Sequence, residues 1–430
     1  MGRARLNGQS GGLKINGVEA DCIIMSEQTI AKGDFVEFVR SAVATSSSNP
    51  LGTGITIQAI EAVKLTDNKI FVVYTNRTDF YHYAIVVQIN SDGTLSNITP
   101  TPIKASSNVA DQTIFLEKVS DTQVVFCYSL TSQQKYVVLM SFNGTAITVG
   151  SHYSFTASSS DYIQGISVYD STHVIVFFYS GSAFFGVVLT ISGNNVLARG
   201  GTVNIDSSYP MTNIRLRKMQ SGKILLLGNR AGYVAYCFLT LIGATLTSTT
   251  VTLLVSATSS QWSPVFMSDS LVYAFFTVET GKMSVFKITI NDGASTATYI
   301  STDSFATDAY ASRLSCVALS DTKILMTYAK QSNNYPSMAL INIAYGFFQQ
   351  EFSTYLLNIA TVGMSKLLRR TTKIADLFLM DSNYYYLYSK VAKIEEYGRT
   401  SSMIEKCNAV AKSGGSSLQN IKVIKLTGGL

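Results

Sequence analysis

The chain has 430 residues, a formal net charge of +6, 47% apolar residues and only 14% charged residues. This composition can fill a large core, and with six prolines and long β-rich runs it excludes a disordered chain. All of the excess positive charge lies in residues 366–430. Because phosphate binding requires a concentrated basic stripe, no nucleic acid partner is expected for the rest of the chain.

The chain begins with a small, polar, basic arm, residues 1–13, and a compact β element, residues 14–45, that includes a tight turn at Gly33 and Asp34. The arm lacks the apolar stretch of a secretion signal, and no run is long enough to cross a bilayer, so membrane insertion is not expected. The five cysteines are odd in number and far apart. They predict no disulfide framework, no metal site and folding in a reducing cytoplasm, and no cofactor motif is present.

A repeat of about 50 residues follows the linker TSSSNPLGTG and occupies residues 55–389. One copy, KLTDNKIFVVYTNRTDFYHYAIVVQI, holds a polar turn, a β-rich run, a polar tip and a second β-rich run. A period near 50 with about four β-runs per copy is typical of propeller blades, whereas solenoid repeats are shorter. The sequence therefore predicts an all-β chain with a seven-bladed β-propeller. Six blades remain the alternative, because the seventh copy is poorly preserved.

An aspartate marks the turn between the first and second runs in six of the copies. Its carboxylate can accept hydrogen bonds from the backbone amides that follow, which predicts a structural turn rather than a metal or catalytic site. These structural turn residues are Asp67, Asp121, Asp170, Asp269, Asp321 and Asp381.

In propellers, the tips between second and third strands share one face with the links from the fourth strand to the next blade. These segments vary from copy to copy while the aspartate turns do not, which predicts one working face on a scaffold. Aromatic side chains there can stack on sugars and anchor protein contacts, or they can pack under their own loops as local cores. The candidate binding-face residues are Tyr81, Phe184, Tyr209, Trp262, Tyr310 and Tyr335.

No catalytic constellation is evident. The turns SDTK, SDTQ and DSTH lack the Gly and Trp of a sialidase Asp box, and the tips offer only Asp79 and Glu279 as carboxylates, on blades far apart. The histidines, His82, His152 and His173, have no nucleophile motif beside them and are expected at the surface or at strand ends. We therefore predict that the chain is not an enzyme and has no catalytic residue.

The stretch after the sixth copy is the least β-like, and a short helix is predicted near Leu356 or Leu367. Residues 390–430 repeat the pattern of residues 14–45, with a small-residue step before Val, a turn and an alternating strand. The two ends are therefore predicted to pair into one small β domain with the propeller inserted between them. Such pairing would also cover strand edges.

The C-terminal pattern consists of Asn408 to Ala411, a small-residue turn from Ser413 to Ser417, and an alternating strand from Ile421 to Ile424. It resembles the strand-turn-strand that often ends tailed-bacteriophage virion proteins, although Gln419 and Asn420 stand where Gly-Asp is more usual. The resemblance implies a virion component, made in the host cytoplasm, of the tail fibre, tail-tip or collar type. A capsid decoration protein is an alternative within the same class.

The same resemblance implies partners. The terminal domain would bind other virion proteins, the copies would form a symmetric assembly, and the propeller would bind a host-surface glycan or protein. A glycan-degrading propeller enzyme and a cellular interaction scaffold are the remaining alternatives.

Overall fold

A computed structural model describes most of the repeat region and part of each end of the chain. Every structural statement below concerns these residues: 17–24, 29–30, 35–48, 56–90, 95–97, 99–104, 114–130, 134–156, 161–256, 262–278, 282–306, 314–329, 336–343, 349–355, 362–369, 374–381, 387–400, 409–411, 415–416 and 420–426.

The chain divides into two compact units, residues 1–43 with 393–430, and residues 44–392. In the first unit, strands from both ends of the chain pair with each other. The first strand pairs antiparallel with the last, from Gly17 opposite Leu426 to Ile23 opposite Asn420. The strands at the two ends are β1 (Gly17–Ile24), β2 (Thr29–Ile30), β3 (Phe35–Ser48), β34 (Ala409–Ala411), β35 (Gly415–Ser416) and β36 (Asn420–Leu426).

The second unit contains six separate sheets of four or five strands, which are the blades of a β-propeller. In blades 1, 2 and 4 the outer strand is split into two pieces that both pair with the third strand. The blades are blade 1, β4 (Ile57–Thr66), β5 (Lys69–Asn76), β6 (His82–Ile89), β7 (Leu95–Asn97) and β8 (Thr101–Lys104); blade 2, β9 (Ile114–Ser120), β10 (Gln123–Ser129), β11 (Lys135–Phe142), β12 (Ile147–Val149) and β13 (Tyr153–Thr156); blade 3, β14 (Asp161–Val168), β15 (His173–Ser180), β16 (Ala183–Ser192) and β17 (Asn195–Asp206); blade 4, β18 (Met211–Lys218), β19 (Ile224–Arg230), β20 (Tyr233–Ile242), β21 (Thr245–Ser248) and β22 (Thr252–Ser256); blade 5, β23 (Trp262–Ser268), β24 (Leu271–Val278), β25 (Lys282–Asn291) and β26 (Thr296–Ala306); and blade 6, β27 (Ser315–Ser320), β28 (Lys323–Ala329), β29 (Pro336–Asn342) and β30 (Gln349–Tyr355).

The prediction of an all-β propeller is confirmed, with the six blades that were the alternative count. The first strand of the seventh copy is β32 (Ile374–Asp381), which pairs with β31 (Val362–Arg369) from the stretch before that copy and is followed by β33 (Leu387–Thr400). Strand β31 contacts the first strands of blades 6 and 1, and Leu368 packs against the core of blade 1. Strand β31 therefore lies beside the first strands of blades 6 and 1, and in the described part of the chain β31 and β32 do not form a separate four-stranded blade.

The predicted helix near Leu367 is wrong, because Leu367 lies in β31 opposite Leu377 of β32. Pairing with an apolar neighbouring strand outweighs a weak helical pattern. The other position given for this helix, Leu356, is outside the described residues.

The core lies between neighbouring blades. Buried clusters join blade 1 to blade 2, and so on to blades 5 and 6, and the second and third strands supply most of their members. These strands are nearly continuous apolar runs because both of their faces are covered. Each fully buried Val, Leu, Ile or Phe side chain contributes about 1.5 to 3 kcal/mol, so the stacking of blades is the main source of stability.

Two ends of the propeller unit are named below by the connections they carry. The turn end holds the turns from first to second strand and from third to fourth strand. The tip end holds the tips from second to third strand and the links to the next blade.

Candidate ligand-binding groove

Five of the six predicted turn acids lie between the first and second strands of a blade, at the turn end, with differing contacts. Asp170 accepts hydrogen bonds from the Thr172 amide at 2.7 Å and from the Thr172 hydroxyl at 2.8 Å, the local pattern that its sequence predicts. Asp67 is instead 2.8 Å from Lys64 Nζ. This hydrogen bond and the charge of Lys64 lower the pKa of Asp67.

Two further turn acids also bind basic side chains. Asp121 is 2.6 Å from Lys118 Nζ in its own blade. Asp269 is 3.1 Å from Nη2 of Arg217, which belongs to blade 4, so this pair links two blades. Asp321 is exposed, and Asp381 is the last residue of β32. None of the contacts in the described turns brings these acids together at one point.

Two of the candidate binding-face residues belong to the core. Phe184 is 0% exposed and stacks on Phe177 with 6.3 Å between ring centroids. Trp262 is 4% exposed, stacks on Phe276 at 5.7 Å, and donates its indole N–H to the Asn213 carbonyl at 3.0 Å. The prediction that Phe184 and Trp262 belong to the binding face is therefore wrong. Both have the alternative role, that of local core residues, because each lies at or next to the start of a strand and its side chain packs between two blades.

Replacement of Trp262 by Phe tests this correction. The ring stack on Phe276 would persist, but the Asn213 carbonyl would lose its indole donor, so stability should fall by about 1 kcal/mol. Thermal unfolding of the purified chain measures the loss, and ligand binding measured in parallel should not change. A loss of ligand binding without a loss of stability would contradict the core role.

The other candidates differ in position. Tyr209 is 49% exposed in the link between blades 3 and 4. Tyr81 is half-buried at the tip of blade 1, with its ring 6.1 Å from that of Tyr83. Tyr310 and Tyr335 lie outside the described residues.

Exposed aromatic side chains gather at the tip end. Among the described residues, the exposed large aromatics all lie in tips, links or adjoining strand ends: Phe80, Tyr162, Tyr209 and Tyr233. The exposed large aliphatics lie on outer strands or at the turn end: Leu197, Ile242, Leu253 and Ile300. Among the described residues, the two ends of the propeller unit therefore present different chemistry, because the large aromatic side chains that are exposed lie at the tip end.

A groove of about 300 Å³ lies between the outer parts of blades 3 and 4, beside the link that contains Tyr209. Its walls come from the end of β17, the end of β19 and the break between β21 and β22, and are rich in hydroxyl groups. The lining residues are Ile205, Asp206, Ser207, Arg230, Ser248, Thr249, Thr250 and Val251.

A buried ion pair forms one wall of the groove. The Asp206 side chain is 5% exposed, and its two oxygens accept hydrogen bonds from Nε and Nη2 of Arg230, the latter at 3.3 Å. The amides of Ser208 and Tyr209 donate to Asp206 Oδ1 at 2.9 and 3.2 Å. Burial raises the pKa of Asp206, but these bonds outweigh it and lower the pKa, so the carboxylate stays ionised.

The Tyr209 ring packs on the guanidinium of Arg230 and holds it in position. The guanidinium carbon lies 4.7 Å from the centre of this ring, a cation–π geometry. Arg230 is thus held along one edge by a carboxylate and on one face by an aromatic ring. Among the described residues, Nη1 of Arg230 has no hydrogen-bond partner, so the Nη1 and Nη2 edge remains for a ligand.

The hydroxyl wall is positioned by the third strand of blade 4. The Thr249 amide donates to the Phe238 carbonyl at 2.8 Å, and the Phe238 amide donates to Thr249 Oγ1 at 2.9 Å. The Thr249 hydroxyl accepts this bond and keeps its own hydrogen for donation. The groove thus offers hydroxyl donors and acceptors opposite a fixed guanidinium.

A second cavity, of about 160 Å³, lies among the first strands of blades 1 to 4. Glu61, Glu117 and Arg215 line it. Desolvation by the surrounding protein atoms lowers the pKa of the Arg215 guanidinium, and the charges of Glu61 and Glu117 oppose this shift. Glu61 and Glu117 lie on first strands and were not among the carboxylates predicted from the sequence, Asp79 and Glu279, which belong to the tips.

His82 is not a surface residue. It is 0% exposed, its Nδ1 lies 3.0 Å from Thr75 Oγ1, and its ring meets those of Phe126 and Tyr128 edge-on. His152 is partly buried, with Nδ1 2.7 Å from the hydroxyl of Tyr128. Of the two positions expected for the histidines, His82 has the strand end and not the surface, because it is the first residue of β6, which begins inside the interface of blades 1 and 2.

Within the described ranges, no cluster of three or more His, Cys, Asp or Glu residues is placed to hold a metal ion. Cys127, Cys237 and Cys316 are free thiols in strands, and burial raises the pKa of Cys237 to about 12. The described residues also include no helix with the length and apolar character that a membrane span requires.

No protein family matches the sequence, and no curated protein matches it either. Solved structures do match the fold. The WD40 domain of Toxoplasma gondii coronin is 8% identical with a TM-score of 0.50, over 85% of this chain and 88% of that chain. The periplasmic gluconolactonase of Pseudomonas aeruginosa is 12% identical with a TM-score of 0.49, over 78% of this chain and 96% of that one. The NanB sialidase of Streptococcus pneumoniae is 10% identical with a TM-score of 0.45, over 81% and 71%.

These matches correct the prediction that the chain is not an enzyme. A gluconolactonase and a sialidase are among the propellers that it matches, so this fold gives no ground for excluding catalysis. At such low identity the likeness shows the propeller fold and assigns no activity.

Proposed function

We propose that this chain is an adhesion protein of a bacteriophage particle, of the tail fibre, tail-tip or collar type. Its terminal unit attaches to other virion proteins in a symmetric assembly, and its propeller presents the tip end to a host-surface glycan. The observation that carries the proposal is the grouping of the exposed aromatic side chains with the hydroxyl-lined groove at the tip end.

Physical chemistry supports a binding role for this end. Tyrosine and phenylalanine rings offer a large, rigid contact area at low entropic cost, and an exposed ring can stack on the apolar face of a sugar. The aliphatic side chains elsewhere on the unit lack this capacity. The attachment role of the terminal unit is supported by the virion-like strand pattern, in which Ala409–Ala411 pairs with Asn420–Leu426.

Two measurements test the proposal. Mass spectrometry of purified particles should detect the chain, and the purified protein should block adsorption of the phage to its host. The double variant Tyr162→Ala with Tyr233→Ala should block less well. The control, Leu197→Ala with Ile300→Ala, changes side chains that are more exposed but lie away from the tip end, and should block as the wild type does. Absence of the chain from particles would overturn the virion assignment.

The second cavity, among the first strands of blades 1 to 4, favours a second candidate function, hydrolysis of a host glycan. Two carboxylates and a guanidinium line this one cavity, and paired carboxylates are the groups that glycoside hydrolysis uses. Release of reducing ends from host polysaccharide by the wild type, and its loss in Glu61→Gln and Glu117→Gln, would support this candidate. Equal release by the variants would remove it.

A further inference from the structure

We infer that the groove between blades 3 and 4 is a binding site for one neutral sugar unit. This inference rests on the proposed adhesive role and names the ligand class. The first argument is size. A volume of about 300 Å³ is at the lower limit of small-molecule pockets, which suits a single sugar ring better than a larger ligand.

The second argument is charge. Arg230 is paired with the ionised carboxylate of Asp206, so the groove carries no net charge from this pair. An anionic sugar would gain little from a guanidinium whose charge is already compensated, and its carboxylate would approach Asp206. A neutral sugar brings no such repulsion, because its hydroxyl groups only exchange hydrogen bonds with water for hydrogen bonds with the groove.

The third argument is donor geometry. The Nη1 and Nη2 edge of Arg230 presents two parallel N–H groups, and two neighbouring sugar hydroxyls can accept from both. The hydroxyl of Thr249 can donate from the facing wall, with its position fixed by two hydrogen bonds to Phe238. The arrangement is preorganised, because the guanidinium does not have to be ordered when the sugar arrives.

Tyr209 has a positioning role in this inference. Its ring supports Arg230 on one face, and the side chain is 49% exposed beside the groove. Removal of the ring would leave the ion pair with Asp206 but would free the guanidinium to tilt. Tyr209→Ala should therefore weaken sugar binding less than a change of Arg230 itself.

The experiment is isothermal titration of the purified full chain with neutral sugars (glucose, galactose, mannose, rhamnose and N-acetylglucosamine) and with glucuronic acid as the anionic comparator. We expect at least one neutral sugar to bind more tightly than glucuronic acid. Arg230→Lys keeps the positive charge but loses the pair of N–H groups that can bind a sugar in bidentate fashion, and should weaken sugar binding about tenfold or more.

Arg217→Lys is the matched control. Arg217 also binds an aspartate through Nε and Nη2, at 3.3 and 3.1 Å from Asp269, and lies over the ring of Phe266, but at the turn end. Its replacement should leave sugar binding unchanged. Thermal unfolding of both variants checks that each remains folded.

The outcomes separate this inference from the proposed function. No binding of any neutral sugar, preference for glucuronic acid, or equal binding by Arg230→Lys would overturn the sugar site, even if the protein still blocked phage adsorption through another surface. Sugar binding that depends on Arg230, in a chain absent from particles, would support the site and overturn the virion role.

Discussion

Replacement of Gly150 by alanine is expected to destabilise the propeller unit by about 3 kcal/mol or more. A Cβ atom at this position would lie 1.7 Å from the carbonyl oxygen of Asn194 and 2.9 Å from that of Leu139. Both are backbone atoms, so no side chain can rotate away to make room. The change should appear as a large drop in the thermal unfolding midpoint and in the yield of soluble protein.

The turn that carries Asn194 is held in place and cannot retreat easily. Asn194 Nδ2 donates to Ser141 Oγ at 2.7 Å, and Gln123 Nε2 donates to Asn194 Oδ1 at 3.2 Å. The amide of Ser151 donates to Asn195 Oδ1 at 3.4 Å. The clash would therefore have to separate blade 3 from blade 2, which exposes part of the buried cluster between them.

Gly201→Ala is the matched control for this prediction. Gly201 is exposed on the outer strand of blade 3, and a Cβ there would meet no atom within 4 Å. Its unfolding free energy should stay within about 0.5 kcal/mol of the wild type. Equal unfolding midpoints for the two variants would show that blades 2 and 3 are not as close as the structure places them.

The position of Gly150 illustrates what sequence patterns reveal and what they leave hidden. The β-runs of each copy are local signals, since both faces of the middle strands are covered and their residues are apolar throughout. The pairing of β5 with β6 from Lys69 to Thr75 follows directly from them. The contact of Gly150 with Asn194 joins two blades, and the spacing of these two residues in the sequence does not predict it.

The same distinction separates the aromatic candidates. Phe184 and Tyr209 both lie near tips or links, and the sequence gives no difference in their surroundings. The structure turns Phe184 into the interface of blades 3 and 4, because it lies within a strand whose side chains alternate between the two faces of the blade. Tyr209 lies between strands and stays exposed. Exposure thus depends on strand ends, which patterns locate least accurately.

The groove was missed for a related reason. Asp206 ends a strand of blade 3 and Arg230 ends a strand of blade 4, and the two meet because neighbouring blades align their tip ends. A local signal exists at Asp206, since an aspartate before two serines favours a turn with backbone amides on the carboxylate. The partner on the next blade has no such signal. The seventh copy is a similar case, because whether its strands form a separate sheet depends on what they pair with.

Acidification is expected to remove about 3 kcal/mol of stability through His82. Burial lowers the pKa of His82 from 6.5 to about 4, with a smaller contribution from the nearby charge of His152. The unfolded chain therefore binds a proton at higher pH than the folded one. The contribution is fully present above about pH 6.5 and is lost as the pH falls towards 4.

The physical cause is the interface of blades 1 and 2. Among the described residues, His82 Nε2 is buried without a hydrogen-bond partner, and Nδ1 is occupied by Thr75. The ring lies 5.3 Å from that of Phe126 and 4.8 Å from that of Tyr128. A proton added to Nε2 would place a charge among the rings of Phe126 and Tyr128, so the folded chain binds it only at lower pH than the unfolded chain does.

His82→Phe keeps a ring in this space and removes the titration. The unfolding free energy of this variant should fall less than that of the wild type between pH 6.5 and 4, by the same margin of about 3 kcal/mol. His173→Gln is the control, since His173 is half-buried at the start of β15 beside Asp170, away from His82, and its replacement should leave the contribution of His82 in place. If the unfolding free energies of His82→Phe and the wild type changed equally with pH, the folded chain would not lower the pKa of His82. That result would contradict the burial of His82 between blades 1 and 2.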